Sequence, residues 1–175
     1  HSERAGLIES AHGGVLFLDE ITETGSDLQT KLLRVLQEKE IRRVGSNRPR
    51  KIDFRLVSAS HRNIASAVES RRFREDLRYR IDVLRIELPP LRHRRQDIPL
   101  LCRTFLNRYC QRLGRKMPQL SADAMTVLIS ARWQGNIREL QNEMERLANR
   151  NGSRIQAENL SQTLQQEGIP HPMAL

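Results

Sequence analysis

The sequence predicts an α/β domain with a parallel sheet, followed by a small all-helical domain. Val15-Leu16-Phe17-Leu18 is an unbroken apolar run after Gly13-Gly14, which is typical of a strand buried on both faces of a parallel sheet. After Pro89-Pro90 the apolar residues recur at helical spacing. We therefore expect an α/β part at residues 1–90, a helical part at 91–167 and a short tail at 168–175.

Composition favours a soluble globular protein. Of the 175 residues, 38% are hydrophobic and 29% are charged, and no apolar run is long enough to span a bilayer. Cys102 and Cys110 lie eight residues apart in a predicted helix, too far along it to bridge, and no Cys/His cluster suggests zinc. We expect a reducing compartment, the cytoplasm, and no membrane.

The formal net charge of +9 is concentrated in one segment. Residues 42–95 contain 16 Lys and Arg against 6 Asp and Glu, whereas the remainder contains 14 against 15. This excess fits a solvated basic face, a nucleic-acid contact, or arginines that address a nucleotide. The four Phe, two Tyr and one Trp are too few for a platform that stacks single-stranded bases.

The α/β part begins with a helix end within residues 1–12, followed by the apolar strand. Ser26 with Gln29 fits a capping box, and the spacing of Leu28, Leu32, Val35 and Leu36 predicts an amphipathic helix at Asp27–Glu38. The later elements are expected to be a short strand at Ile41–Val44, a polar turn at Ser46–Arg50, a core strand at Asp53–Ser60, a basic helix-and-turn region at Ile64–Arg80 and an apolar strand at Val83–Leu88.

The second part is expected to contain four helices. They are predicted at Ile98–Leu113, Ser121–Ser130, Asn136–Ala148 and, more weakly, Ala157–Gln165, with Ser121 as an N-cap.

Two carboxylates, Asp19 and Glu20, follow the apolar strand directly. The carboxyl ends of parallel strands are where α/β folds bind ligands. One acid can hold a magnesium ion there while the other orients a water for attack on a phosphate. The alternative is an acid that only caps the next helix. His61, in Ser58-Ala59-Ser60-His61, ends the second core strand and could contact the water or the γ-phosphate, or could be a structural or surface histidine.

Two further motifs carry arginines. Phe73–Arg80 is dense in guanidinium groups, which suit a phosphate and can act from a neighbouring subunit, although an exposed helix with Arg/Glu pairs is the alternative. In Trp133–Leu140, Gly135-Asn136 forms a turn and cap before a helix. Arg138 falls in the first helical turn, where the macrodipole disfavours a cation, so we expect it to have another role.

Together these motifs resemble the bacterial enhancer-binding proteins, the sigma-54-dependent transcriptional activators of the AAA+ ATPase superfamily. The resemblance covers about residues 5–165. It is carried by GGVLFLDEI, QTKLLRVLQEKEIRRVGS, FREDLRYRIDVLRIELPPLRHRRQDIPLL and WQGNIRELQN. It implies part of a P-loop NTPase core with a helical lid, in a ring-forming ATPase, expected to be a hexamer, that remodels sigma-54 RNA polymerase and binds DNA through other domains.

The resemblance also implies roles for individual residues, with ATP and Mg²⁺ as cofactors. Asp19 resembles the magnesium-associated Walker B acid, which would hold the ion through water. Glu20 resembles the residue that polarises the attacking water, and His61 lies at the sensor I position.

Three arginines and a loop also match functional positions of the family. Arg74 and Arg80 match paired arginines that reach the ATP of the adjacent subunit. Arg138 matches the sensor II arginine of the lid, and Asn47–Lys51 lies near a loop that faces the ring pore.

Neither the phosphate-binding sequence GxxxxGK[ST] nor the family's sigma-contacting sequence GAFTGA occurs in these 175 residues. We therefore expect the C-terminal portion of an activator ATPase domain, with weak or no ATP hydrolysis alone and an open sheet edge where the first strand of the family fold would lie. The alternative is an inactive module that acts as a subunit interface or binds nucleic acid. A different AAA+ class, such as a helicase loader or chelatase subunit, is a more distant possibility.

Overall fold

A computed structural model of the chain describes residues 6–43 and 48–167, and it divides into two compact units, His1–Ile86 and Glu87–Leu175. The first unit combines strands with helices, and the second is mostly helical. This confirms the predicted fold class. The predicted tail at 168–175 lies outside the described residues.

In its described residues, 6–43 and 48–86, the first unit contains four α-helices and four strands. In chain order they are α1 Leu7–Ser10, β1 Val15–Leu18, α2 Ser26–Glu38, β2 Glu40–Arg42, β3 Pro49–Lys51, β4 Arg55–Ser58, α3 Ile64–Glu69 and α4 Glu75–Ile81. Strands β1 and β4 pair in parallel, with Leu18 opposite Ser58, so both strands end at the same edge. Strands β2 and β3 pair in antiparallel register. The predicted end of the short strand, Val44, and part of the predicted turn, residues 46–47, lie outside the described residues, and Arg50 belongs to β3 rather than to a turn.

The prediction that the apolar strand is buried on both faces is wrong. Leu16 of β1 faces the core of this unit, whereas Val15 and Phe17 are each 59% exposed. Side chains alternate between the two faces of a strand, and no described element covers the face that carries Val15 and Phe17. The described core is on one side of the sheet and includes Leu16, Ile21, Leu32, Leu33, Leu36, Phe54, Phe73 and Leu77.

Helix α2 ends at Glu38 as predicted but begins at Ser26, one residue before the predicted start, and the proposed capping box is wrong. Its N-cap is Gly25, and no side chain caps it. The Gln29 side chain is buried and bonds to other segments instead. Leu28, which we placed on the apolar face, is 49% exposed, and Leu33 is buried in its place.

The predicted strand at Val83–Leu88 does not form. This segment is irregular, and Val83, Leu84, Ile86 and Leu88 are each more than three-quarters exposed. An apolar sequence becomes a strand only where a neighbouring strand accepts and donates its backbone hydrogen bonds. No described strand lies against it.

The second unit has its own core. Its elements are α5 Ile98–Arg112, β5 Gln119–Leu120, α6 Ala122–Ser130, α7 Asn136–Ala148, β6 Arg154–Ile155 and α8 Gln162–Glu167. Ser121 caps α6 as predicted, since its hydroxyl oxygen accepts from the Ala124 amide at 3.1 Å. The weakest predicted helix is instead a 3-10 turn, Ala157–Asn159, followed by α8. Leu106, Leu128, Leu140 and Met144 are fully buried between these helices.

Cys102 and Cys110 both lie in α5, buried and unbridged, as expected from their spacing. Burial raises the pKa of the Cys102 thiol to about 12. Among the described residues, no helix is both long and apolar enough to cross a membrane.

Candidate functional site

The two acids lie at the edge where β1 and β4 end. The backbone continues the ladder past both strands, since the Ala59 amide donates to the Leu18 carbonyl at 2.9 Å and the Ile21 amide to the Ala59 carbonyl at 3.0 Å. Glu20 between them has φ 51° and ψ 48°, the left-handed region that non-glycine residues rarely adopt. This turn directs the chain abruptly out of the sheet at Glu20, and such strain is common at functional sites.

Glu20 and His61, which the sequence placed at the ends of different strands, are in direct contact. Glu20 Oε2 is 2.6 Å from His61 Nδ1 and 3.2 Å from the His61 amide nitrogen. An ionised carboxylate can only accept, so Nδ1 carries the proton in this contact. The two side chains are 45% and 58% exposed, so the pair is held in place but open to solvent.

A second contact fixes the loop that carries His61. The hydroxyl groups of Thr22 and Ser60 are 2.7 Å apart, and the Ser60 Oγ also accepts from the Arg62 amide at 3.0 Å. Thr22 is buried, so this polar pair joins the turn after the acids to the end of β4. Sequence analysis did not identify Thr22, since only the three-dimensional pairing of the two strands brings it to Ser60.

Asp19 is exposed at the same edge, and its Oδ1 accepts from the Glu20 amide at 3.0 Å. Its carboxylate oxygens are the hard ligands that magnesium prefers. Magnesium in nucleotide sites keeps several waters and takes one or two protein carboxylates together with phosphate oxygens. The donor set at this edge therefore fits a magnesium ion shared with a nucleotide.

The arginine-rich segment forms the start of α4. Arg74 is the N-cap residue, and the buried side chains of Phe73 and Leu77 anchor the chain on either side of it. The Arg74 guanidinium makes two bonds to Asp76, Nε to Oδ1 at 3.0 Å and Nη2 to Oδ2 at 2.7 Å. The Arg74 guanidinium lowers the pKa of the Asp76 carboxyl, and the same contact raises the pKa of Arg74.

Arg80 lies near the end of α4 and donates from Nη2 to the Leu36 carbonyl at 3.1 Å. Arg74 and Arg80 are both exposed, so their guanidinium groups remain accessible to another molecule. Helix α2 contacts both arginine-bearing positions, through Leu36 at one end and through Gln29 at the other. Sequence analysis assigned Gln29 to a helix cap and missed this contact.

Arg138 belongs to the second unit, in the first turn of α7 as predicted, and it is exposed. The preceding turn is closely packed, because a Cβ on Gly135 would lie 2.9 Å from the Glu139 Cβ. The Glu139 carboxylate accepts from the Gly135 amide at 2.8 Å. Trp133 is buried and donates from its indole nitrogen to the Leu128 carbonyl at 2.7 Å, which fixes the turn onto α6.

A cleft of about 490 Å³ opens beside Arg138 within the second unit. Its lining includes Glu143 and Arg146, which form a bidentate pair at 2.6 and 3.0 Å. The Glu143 carboxylate also accepts from the Ser161 amide at 2.9 Å, so this pair joins α7 to the start of α8. The cleft therefore belongs to the second unit itself and lies beside Arg138.

Comparison with known families decides what kind of domain this is. Residues 1–87 match the family described as Sigma-54 interaction domain, and residues 92–174 match the AAA+ ATPase lid domain. The chain belongs to the AAA+ family of sigma-54-dependent activators. This sigma-54 activator chain is 50% identical over 143 residues to the transcriptional regulatory protein ZraR of Klebsiella oxytoca. It is 51% identical over 146 residues to the Nif-specific regulatory protein of Herbaspirillum seropedicae.

The sigma-54 activator chain covers only part of these relatives. The alignments include 82% and 83% of this chain but 32% and 27% of the two regulators. The chain therefore spans about a third of their length or less.

Solved structures share the fold. Crystal structures of NtrX from Brucella abortus in complex with ATP and with ADP each superpose with a TM-score of 0.85, at 35% and 34% identity. They include 91% and 100% of this chain and 38% and 40% of NtrX.

Proposed function

We propose that this chain is part of the ATPase domain of a sigma-54-dependent transcriptional activator, which couples ATP hydrolysis to promoter opening by sigma-54 RNA polymerase. The observation that carries the proposal is the contact between Glu20 and His61 at the edge where two parallel strands end. It supports a site in which one carboxylate activates water and a second polar group orients it. The assembly we propose is a ring of identical subunits, a hexamer, with DNA bound by other domains.

Glu20 is the residue we assign to polarising the attacking water. The His61 imidazole donates to Glu20 Oε2, which orients the carboxylate that would polarise the water. Asp19, at the same edge, would hold magnesium through water, as an ion shared with the phosphates of ATP rather than one enclosed by protein ligands alone. When bound, that ion neutralises charge on the transferring phosphate.

Arg74 and Arg80 are assigned to the ATP of the adjacent subunit. Both are exposed, Arg74 at the N-cap of α4 and Arg80 near its end, and their described partners, Asp76 and the Leu36 carbonyl, belong to their own subunit. Guanidinium groups supplied from a neighbour stabilise charge on a transferring phosphoryl group. Arg138, exposed at the start of α7, is assigned as the lid arginine that responds to the nucleotide.

The deciding experiment measures ATP binding and hydrolysis in a protein in which a phosphate-binding loop precedes this chain, here called the loop-containing protein. Glu20→Gln should bind ATP but not turn it over. If this variant lost ATP affinity yet hydrolysed normally at saturation, the role of Glu20 would be refuted. The 175-residue chain alone should hydrolyse ATP weakly or not at all, because a loop of backbone donors and its lysine supply most of the hold on the phosphates.

Mixing tests the assignment of the arginines. Arg74→Ala and Glu20→Gln subunits should each be inactive alone and should recover activity together, since one supplies the acid and the other the arginine. A mixture that forms rings but stays inactive would refute action between subunits.

An inactive nucleic-acid-binding module receives less support. The Glu9 carboxylate pairs with Arg43 at 2.7 Å and with Arg50 at 2.9 Å, so two cations of the basic segment are already partnered. DNA binding that falls steeply with salt, and less steeply in Arg50→Ala, would favour this alternative.

A further inference from the structure

Gln29 is a buried amide that joins α2 to the segment before α4. Gln29 is only 2% exposed to solvent. The Oε1 atom accepts from the Arg74 amide at 2.9 Å, and Nε2 donates to the Thr24 carbonyl at 2.8 Å and to the Arg72 carbonyl at 3.0 Å. Both donor positions and the acceptor are therefore used, and two of the three partners lie more than forty residues along the chain.

The segment that Gln29 contacts is the one that places Arg74. The Arg72 and Phe73 amides donate to the Ala67 carbonyl at the end of α3, at 2.9 and 3.1 Å. The Phe73 ring is buried, so residues 72–74 lie between α3 and the start of α2. Gln29 contacts the main chain on both sides of Phe73, which fixes where the Arg74 side chain leaves the protein surface.

We infer that Gln29 is a positioning residue for Arg74 and that its effect on ATP hydrolysis occurs at the neighbouring subunit's site. The inference rests on the proposed function, in which Arg74 acts between subunits. Asp76 on α4 orients the Arg74 guanidinium, whereas Gln29 on α2 contacts only the Arg74 main chain. Loss of the Gln29 amide would leave the guanidinium chemically intact and displace its point of attachment.

An opposing assignment is that Gln29 serves its own subunit's acids. Its bond to Thr24 lies at the end of the short turn that follows Glu20. Loss of the amide would then disturb the acid that acts in the same subunit. The two assignments predict opposite results when variants are mixed.

The test uses Gln29→Met in the loop-containing protein, because methionine matches the length and unbranched shape of glutamine without its hydrogen bonds. The control is Gln37→Met, on the exposed face of the same helix. We expect Gln29→Met to lower kcat about tenfold or more with KM for ATP little changed, since displacing a positioned group by about 1 Å can cost about a hundredfold. Gln37→Met should behave as the unaltered protein, and equal kcat values for the two variants would overturn the inference.

Mixed rings then locate the defect. Gln29→Met mixed with Glu20→Gln should regain activity, because one subunit supplies an intact acid and the other an intact arginine. Gln29→Met mixed with Arg74→Ala should not, because both defects lie on the side that supplies the arginine. Recovery with Arg74→Ala but not with Glu20→Gln would overturn the inference and assign Gln29 to its own subunit's acids.

A folding failure and a failure of the proposed function are separated by two further measurements. Gln29→Asn keeps an amide and should therefore fold more readily than Gln29→Met. Its side chain is one methylene too short to reach all three partners, so it should show the same mixing pattern. If neither Gln29 variant recovers with Glu20→Gln although both are folded by circular dichroism and Arg74→Ala does recover, the inference alone is overturned. If Arg74→Ala also fails to recover with Glu20→Gln, the proposed action of Arg74 between subunits is refuted, and the inference, which depends on it, is refuted as well.

Discussion

The contact between His61 and Glu20 allows a quantitative prediction for His61→Ala in the loop-containing protein. A hydrogen bond to a charged group contributes about 1.5–3 kcal/mol when shielded, whereas exposed ion pairs contribute about 0.2–1 kcal/mol. The two side chains are 58% and 45% exposed, and the His61 amide keeps its 3.2 Å contact with Glu20 after the substitution. We therefore assign about 1 kcal/mol to the imidazole, which corresponds to a fall of about fivefold in kcat.

The assay is steady-state ATP hydrolysis at saturating magnesium, with ATP affinity measured separately. His61→Ala should lower kcat with little change in ATP affinity, because the role we assign to the imidazole is to orient Glu20 and not to bind the nucleotide. His61→Asn is the matched variant, since its shorter side chain still presents an N–H donor at this position and should recover part of the loss. An unchanged kcat in His61→Ala, or a loss confined to ATP affinity, would refute the orienting role.

Three further predictions concern stability and reactivity. The Arg43 and Arg50 guanidinium groups lower the pKa of Glu9 in the folded protein. The ionised Glu9 carboxylate therefore stabilises the fold above its unfolded-state pKa, and this stabilisation is lost as the pH falls through its folded-state pKa. The melting-temperature difference between the unaltered protein and Glu9→Gln should vanish in acid, and a pH-independent difference would contradict this. Leu77→Ala should lower the free energy of unfolding by about 2–5 kcal/mol in urea titrations, because Leu77 is fully buried, and a loss below about 1 kcal/mol would refute its core role. Cys102, buried and with a pKa raised to about 12, should resist thiol reagents at neutral pH until the second unit unfolds, so rapid labelling of the folded protein would contradict its placement.

The sequence predicted two local features of the structure well. Parallel strands end at the same edge, so the order of strand and polar residue was enough to place Glu20 near His61. The helix at Asn136–Ala148 was predicted with its observed bounds, because the Gly135-Asn136 turn and the apolar period agree there.

Features that depend on distant partners were predicted less well. Phe17 is as apolar as a core residue, but its burial depends on whether another element covers that face of the sheet. The Val83–Leu88 segment fails to form a strand for a related reason, since backbone pairing requires a second chain segment beside it. The local sequence shows neither whether another element covers Phe17 nor whether a strand lies beside Val83–Leu88.

Gln29 shows how a local motif can conceal a distant contact. The spacing from Ser26 to Gln29 satisfies a capping box, yet Gln29 is also in phase with the buried residues Leu32, Leu33 and Leu36. A glutamine on the apolar face of a helix enters the core, where an amide left without partners costs about 1–3 kcal/mol. Such a residue therefore requires partners from outside its own helix, and here they are the backbone groups on either side of Phe73. The helical phase of Gln29, rather than its distance from Ser26, was the sequence signal that this side chain is buried and needs partners from another segment.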